Sequence, residues 1–252
     1  MRPLGSAVEH PLHTRGVSSS NLLAGTINSQ KPGDAKAPGL FCARKSSLIL
    51  TVSPKKNPKK KSRKRPQRAT KIMLIRHAEK PAKDSEPYGV TAEGEQNKES
   101  LEVRGWQRAG ALANLLAPNN GHFQHASLAK PKFLFASKPL RRKGSRRPIE
   151  TLTPLAEKLE LKINSSFQRS DFESMLEEVV SCKGVVLICW QREYIPDIAS
   201  HILGSKKIAP TNWPEDCFDM IWVFDLARSS SKYTFKQVPQ KLLGGDVTTP
   251  IK

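Results

Sequence analysis

Cysteine is scarce: four residues in 252. Cys42, Cys182, Cys189 and Cys217 lie far apart and form no CxxC pair. That spacing argues against a zinc site or a disulfide framework and fits a reducing, cytoplasmic compartment. His122 and His125 stand three apart in a loop-like stretch with no further ligand nearby, so no metal and no other cofactor is expected. Long apolar runs are missing as well. Leu48-Ile49-Leu50-Thr51-Val52 is far shorter than the roughly 18 residues of a membrane span, so no transmembrane segment is expected. No apolar stretch follows the first residues, which argues against a secretory signal.

Acidic residues are nearly absent from the first quarter of the chain. The whole sequence carries 42 Lys/Arg against 23 Asp/Glu, a charge of +19. Residues 1–70 hold 15 of the basic residues with only Glu9 and Asp34 against them, a surplus of 13. Residues 71–252 hold 27 basic and 21 acidic residues, a surplus of six. Residues 1–47 mix Pro, Gly, Ser and Asn without a sustained period, so they cannot bury enough apolar surface to offset their ordering entropy and are expected to be disordered. Residues 53–68 contain nine basic residues, three prolines, no acid and no aromatic. Three readings of this leader stay open: a solvated tail, an unspecific electrostatic hold on an anionic partner, or an organelle or nuclear address. Without an aromatic, base stacking has no platform there.

From Lys71 onward the pattern is that of one folded domain, 71–252, long enough to bury a core. Ile72–Ile75, Phe133–Ala136 and Val185–Cys189 are short apolar runs suited to buried strands. Leu101–Leu116, Pro148–Leu159 and Pro196–Leu203 read as helices, and Ile221–Leu226 and Tyr233–Val238 as later strands. The alternation predicts an α/β three-layer sandwich, a mostly parallel sheet with helices on both faces. In that class chemistry collects beyond the carboxyl ends of the strands. Arg76-His77, Ser137 and Trp190–Glu193 all fall just after a predicted strand.

Those positions suit phosphoryl transfer. A neutral imidazole can attack phosphorus and divide one displacement into two. Guanidinium groups match phosphoryl oxygens with paired donors and stay charged. Arg76 supplies one, and Arg146-Arg147 a second at the start of a helix whose free backbone N–H groups also favour an anion.

Leu74-Ile75-Arg76-His77-Ala78-Glu79-Lys80-Pro81 resembles the signature of the histidine phosphatase superfamily, the phosphoglycerate-mutase-like fold, and within it a branch opening on LIRHAEKP. The likeness continues in order through Gly89-Val90-Thr91, Arg104-Gly105-Trp106-Gln107-Arg108-Ala109, Ala136–Pro139, Ser145–Thr151, Trp213-Pro214, Phe218-Asp219 with Trp222, and Leu242–Asp246. The resemblance implies a phosphatase with His77 as the phosphorylated nucleophile and Arg76 and Arg147 as phosphoryl ligands. Arg146, Ser137 and Glu193 are candidate substrate contacts. For the proton donor Glu79 is nearest in sequence, with Glu93, Glu95, Asp171 and Glu173 in expected loops. The substrate would be a phosphorylated small molecule or a phosphoprotein. One position departs from the pattern. After the third strand the branch carries a Cys-Trp-x-His-like string, whereas this chain reads Cys189-Trp190-Gln191-Arg192-Glu193. Arg192 therefore stands where the second site histidine is expected, and it cannot titrate near neutrality. Phosphate binding with lowered turnover is the expectation, with a non-catalytic phosphate-binding domain as the alternative. Lys83–Ser100 and Lys138–Lys143 are expected at the mouth of the pocket.

Overall fold

The structure is a computed structural model that describes residues 68–82, 86–140, 144–228 and 230–252. The disorder expected for 1–47, the basic run up to residue 67, and parts of the expected pocket mouth (83–85 and 141–143) lie outside the described residues.

In chain order the elements are β1 (Lys71–Arg76), α1 (Val103–Leu116), β2 (Phe133–Ala136), α2 (Arg147–Leu159), β3 (Ile163–Asn164), α3 (Phe172–Ser181), β4 (Val185–Trp190), a 3-10 turn (Arg192–Tyr194), α4 (Ile195–Leu203), β5 (Met220–Leu226) and β6 (Tyr233–Pro239). The sheet order is β3-β2-β4-β1-β5-β6. The first four strands are parallel, while β5 runs antiparallel to β1 and β6 to β5. The expected α/β class is observed, with an antiparallel pair added at one edge.

Side-chain alternation along the strands builds two cores. Ile72 and Leu74 join Val186, Ile188 and Trp190 beneath Met175 and Val179 of α3 and Ile195 and Ile198 of α4. Met73 and Ile75 join Leu187 and Cys189 beneath Leu112 and Leu116 of α1 and Leu152 and Leu155 of α2. Both faces of β1 and β4 are therefore covered, which is why these strands read as continuous apolar runs. Each fully buried Leu, Ile or Met contributes roughly 1.5–3 kcal/mol.

Two local expectations change. Asp171 and Glu173 are expected in a loop; Asp171 instead occupies the N-cap position of α3 and Glu173 lies in its first turn. The apolar set Met175, Leu176 and Val179 fits a helical face, but in a ten-residue helix rich in Glu that signal is short. β3 is only two residues long. Helix α1 starts at Val103 rather than Leu101, because Glu150 of α2 accepts from both Ser100 Oγ (2.8 Å) and Leu101 N (2.9 Å) and holds the chain extended there. Among the described residues no helix is long and apolar enough to cross a membrane.

Candidate active site

The carboxyl ends of β1, β2 and β4 deliver Arg76-His77, Ser137 and Gln191-Arg192 to one edge of the sheet. Arg76 pairs with Trp190 in register, and His77 N donates to Trp190 O at 3.2 Å.

His77 is buried, and its Nδ1 lies 2.7 Å from Ala78 O. A carbonyl only accepts, so this contact fixes the proton on Nδ1 and leaves the lone pair on Nε2. Burial, with help from Arg76, Arg147 and Lys80, pushes the imidazole pKa down to about 3 against the opposing pull of the Ala78 carbonyl. The ring is therefore neutral across the physiological range, as a nucleophilic histidine requires. Ala78 N donates to Thr151 Oγ1 (2.8 Å), and that hydroxyl donates to Arg147 O (2.7 Å). One threonine of α2 thus ties the histidine segment to the helix that begins with Arg147.

Arg76 is 1% exposed. Its guanidinium lies 3.8 Å from the Phe218 ring centre, and Nη1 donates to the carbonyls of Glu215 (2.5 Å), Cys217 (3.0 Å) and Pro214 (3.3 Å). The loop offering those carbonyls is pinned by Trp213, which is buried against Trp222 and donates Nε1 to Cys217 O at 2.8 Å. Burial first, then repulsion from Arg192, lowers the Arg76 pKa to about 10, which keeps it charged at neutral pH. Its Nε is buried without a partner.

Arg147 donates Nε to Ser100 O (3.1 Å) and Nη2 to Lys98 O, with Glu99 nearby at 3.9 Å. Burial lowers its pKa, opposed by Glu99 and Glu150. Its charge also reaches His77. Arg146 faces outward, 3.6 Å from Glu150, and lines a groove of about 580 Å³ with Glu93, Trp106, Leu140 and Ile149. That groove borders Arg147 through Glu99 but does not contain Arg76 or His77.

Arg192 is partly exposed and pairs with Glu193 (3.4 Å) and Glu215 (3.5 Å). Glu193 is thus an ion-pair partner of Arg192. Ser137 is fully buried and accepts from Gln191 Nε2 at 2.7 Å; the Gln191 Oε1 is buried with no partner.

Glu79, the expected proton donor, has a different place. Arg108 Nε lies 3.0 Å from both of its oxygens and Nη2 lies 2.8 Å from Oε1. Arg108 also binds Asp246 (2.7 and 2.9 Å) and Gln240 (3.1 Å). Three charge-assisted contacts from Arg108 hold this carboxylate in place. Glu79 acts here as a buried anchor, with Arg104 3.4 Å away on the outer side. Burial opposes charge at Arg108, but Asp246 and Glu79 outweigh it and raise its pKa; Arg108 and the N–H groups of Leu242 and Leu243 hold the Asp246 pKa down at about 2 in spite of burial. Gly105 permits this approach, since a Cβ there would lie 2.5 Å from Glu79 O. Of the other candidate acids, Glu93 is exposed at the groove and Glu173 pairs with His201 at 3.0 Å. Among the described residues no cluster of three His, Cys, Asp or Glu could hold a metal ion.

No protein-family model matches the sequence, and no curated protein matches it. Solved structures do. The mycobacterial glucosyl-3-phosphoglycerate phosphatase is 16% identical, covering 67% of this chain and 97% of that one at a TM-score of 0.40. The alpha-ribazole phosphatase of Shigella flexneri is 12% identical over 69% and 98%, with a TM-score of 0.42. YhfR of Bacillus stearothermophilus is 14% identical over 71% and 98%, with a TM-score of 0.40.

Proposed function

We propose that the chain is a phosphomonoester phosphatase that works through a phosphohistidine on His77. The observation that supports this most is the state of His77: buried, neutral, and held at Nδ1 by Ala78 O so that Nε2 keeps its lone pair. In the first step Nε2 bonds to phosphorus, the P–O ester bond breaks, and the leaving oxygen takes a proton from solvent water. In the second, water attacks phosphorus and gives its proton to solvent, the P–N bond breaks with its electron pair returning to Nε2, and inorganic phosphate departs. Arg76 and Arg147 neutralise the phosphoryl oxygens in both steps, where preorganised charge is worth most. This chemistry calls on no metal or organic cofactor. Arg192 occupies the sequence position expected of the second histidine and cannot relay a proton, and Glu79 is engaged by Arg108, so turnover is slow. The substrate class is a phosphorylated small molecule or phosphoprotein, with the groove beside Arg146 as the place for its leaving group. The basic leader is a tether to an anionic partner, outside the chemistry.

The engagement of Glu79 by Arg108 also favours a second reading, a non-catalytic phosphate-binding domain. Hydrolysis of an aryl phosphate by the wild type, His77→Ala and Arg192→His separates the two. The phosphatase reading expects measurable wild-type turnover, its loss in His77→Ala, and a gain of roughly tenfold in Arg192→His as a titratable group returns. No turnover in any of the three leaves the binding domain. A fast wild type that Arg192→His does not improve contradicts slow turnover.

A further inference from the structure

Two buried side-chain atoms among the described residues lack a hydrogen-bond partner, Arg76 Nε and Gln191 Oε1. Both residues are more than nine-tenths buried, and both sit where β1 and β4 end. Arg76 and Trp190 are register partners on neighbouring parallel strands. The residues that follow them, His77 and Gln191, are joined through His77 N and Trp190 O. Gln191 keeps an extended backbone (φ −78°, ψ 140°), so the strand's alternation carries on through it. Paired positions of a parallel ladder project to the same face. Ile75 and Cys189 lie on the α1–α2 face, so the Gln191 side chain, two steps beyond Cys189, returns to it. Buried polar atoms are rarely left unsatisfied in folded proteins, so the amide of Gln191, with one of its two ends unpartnered at the end of β4, points to a ligand that completes it.

On the phosphatase reading of this site, we infer that the Gln191 amide, fixed by Ser137, is a phosphoryl-binding group, and that it rather than Arg192 supplies the contact expected of the second histidine. Arg192 is spent on two carboxylates, Glu193 and Glu215, and is partly exposed. Gln191 is buried beside the nucleophile's strand and has one partner, Ser137 Oγ, at 2.7 Å. A hydroxyl can donate as well as accept. A half-turn of the amide lets Ser137 donate to Oε1 and releases both Nε2 hydrogens for an anionic oxygen. An amide donates to a phosphoryl oxygen without carrying charge and without a proton to give, so Gln191 holds phosphate but leaves proton transfer unassisted.

The test is calorimetric titration of the full-length protein with inorganic phosphate near neutral pH. Gln191→Leu, close in shape and without polar atoms, is expected to weaken phosphate binding by roughly tenfold or more, the scale of a buried hydrogen bond to a charged group. Ser137→Ala, a mild change, is expected to weaken it by about threefold by freeing the amide. Arg192→Gln is expected to cost less than Gln191→Leu, as an exposed pair member should. Should Gln191→Leu fail to fold, the ratio of Ser137→Ala to Arg192→Gln decides: Ser137→Ala must weaken binding, and Arg192→Gln must not weaken it more. Wild-type-like phosphate binding in Gln191→Leu and Ser137→Ala overturns the inference, as does a larger loss in Arg192→Gln. If the wild type itself binds no phosphate, the site reading fails along with it; if it binds and Gln191→Leu binds equally, only the inference fails.

Discussion

At the scale of single residues, His77 and Arg76 owe their properties to burial more than to their neighbours' charges. The His77 pKa of about 3 lies below its unfolded value of 6.5, so between those limits the unfolded chain takes up a proton that the folded one refuses. Stability therefore rises with pH across that window and is lost as pH falls through it. Urea midpoints at pH 4, 5 and 6.5 should climb more steeply in the wild type than in His77→Gln; equal slopes would show that His77 titrates normally. The same shift predicts that activity on the acid side is not limited by His77 protonation, so the rate persists at pH 5. The Arg-His pair was legible in the string because it follows a four-residue apolar run. Gln191 was not: in Cys-Trp-x-x it reads as a spacer, and only the fold reveals that it is buried and that its neighbour Arg192 is partly exposed and ion-paired.

At the scale of elements, α1 and α2 grip the histidine segment from two sides. Arg108 of α1 holds Glu79 and Asp246, residues 29 and 138 positions away. Arg108→Leu leaves two carboxylates near one another without their cation, and is expected to cost about 3–5 kcal/mol in urea denaturation. Arg104→Ala, whose side chain is 45% exposed, should cost only about 0–1 kcal/mol. If the two variants unfold alike, the buried network is not what anchors the segment. Thr151→Val removes the hydroxyl between Ala78 N and Arg147 O and should cost about 1–3 kcal/mol while lowering turnover, which urea melts and aryl phosphate kinetics will read together. Five of the six described strands and three of the four α-helices were readable from period and apolar runs; the two-residue β3 was not. Helix α3 was hidden by its length and its glutamates. The Glu79–Arg108 pairing was hidden because sequence proximity to His77 suggested a catalytic acid, whereas the partner that decides its role comes from another element.

At the scale of the whole molecule, charge divides into two unequal parts along the sequence. The surplus of six on residues 71–252 includes Arg76 and Arg147 beside His77, while the surplus of 13 belongs to the leader. If the leader is an electrostatic tether, replacing the basic residues of 53–68 with Gln should abolish salt-sensitive binding to a polyanion and leave phosphate binding unchanged; retained polyanion binding would move that role to the domain. The layered α/β class was legible because helix and strand periods alternate along the chain, and the antiparallel β5–β6 edge was not, since periodicity carries no strand direction. The central claim is a covalent phosphoryl bond to His77. It is tested most directly by rapid quench of the protein with a labelled phosphomonoester, followed by assay of acid-labile, base-stable label on the chain. The account predicts label on the wild type and none on His77→Ala; an unlabelled wild type, or label that survives in His77→Ala, would contradict it.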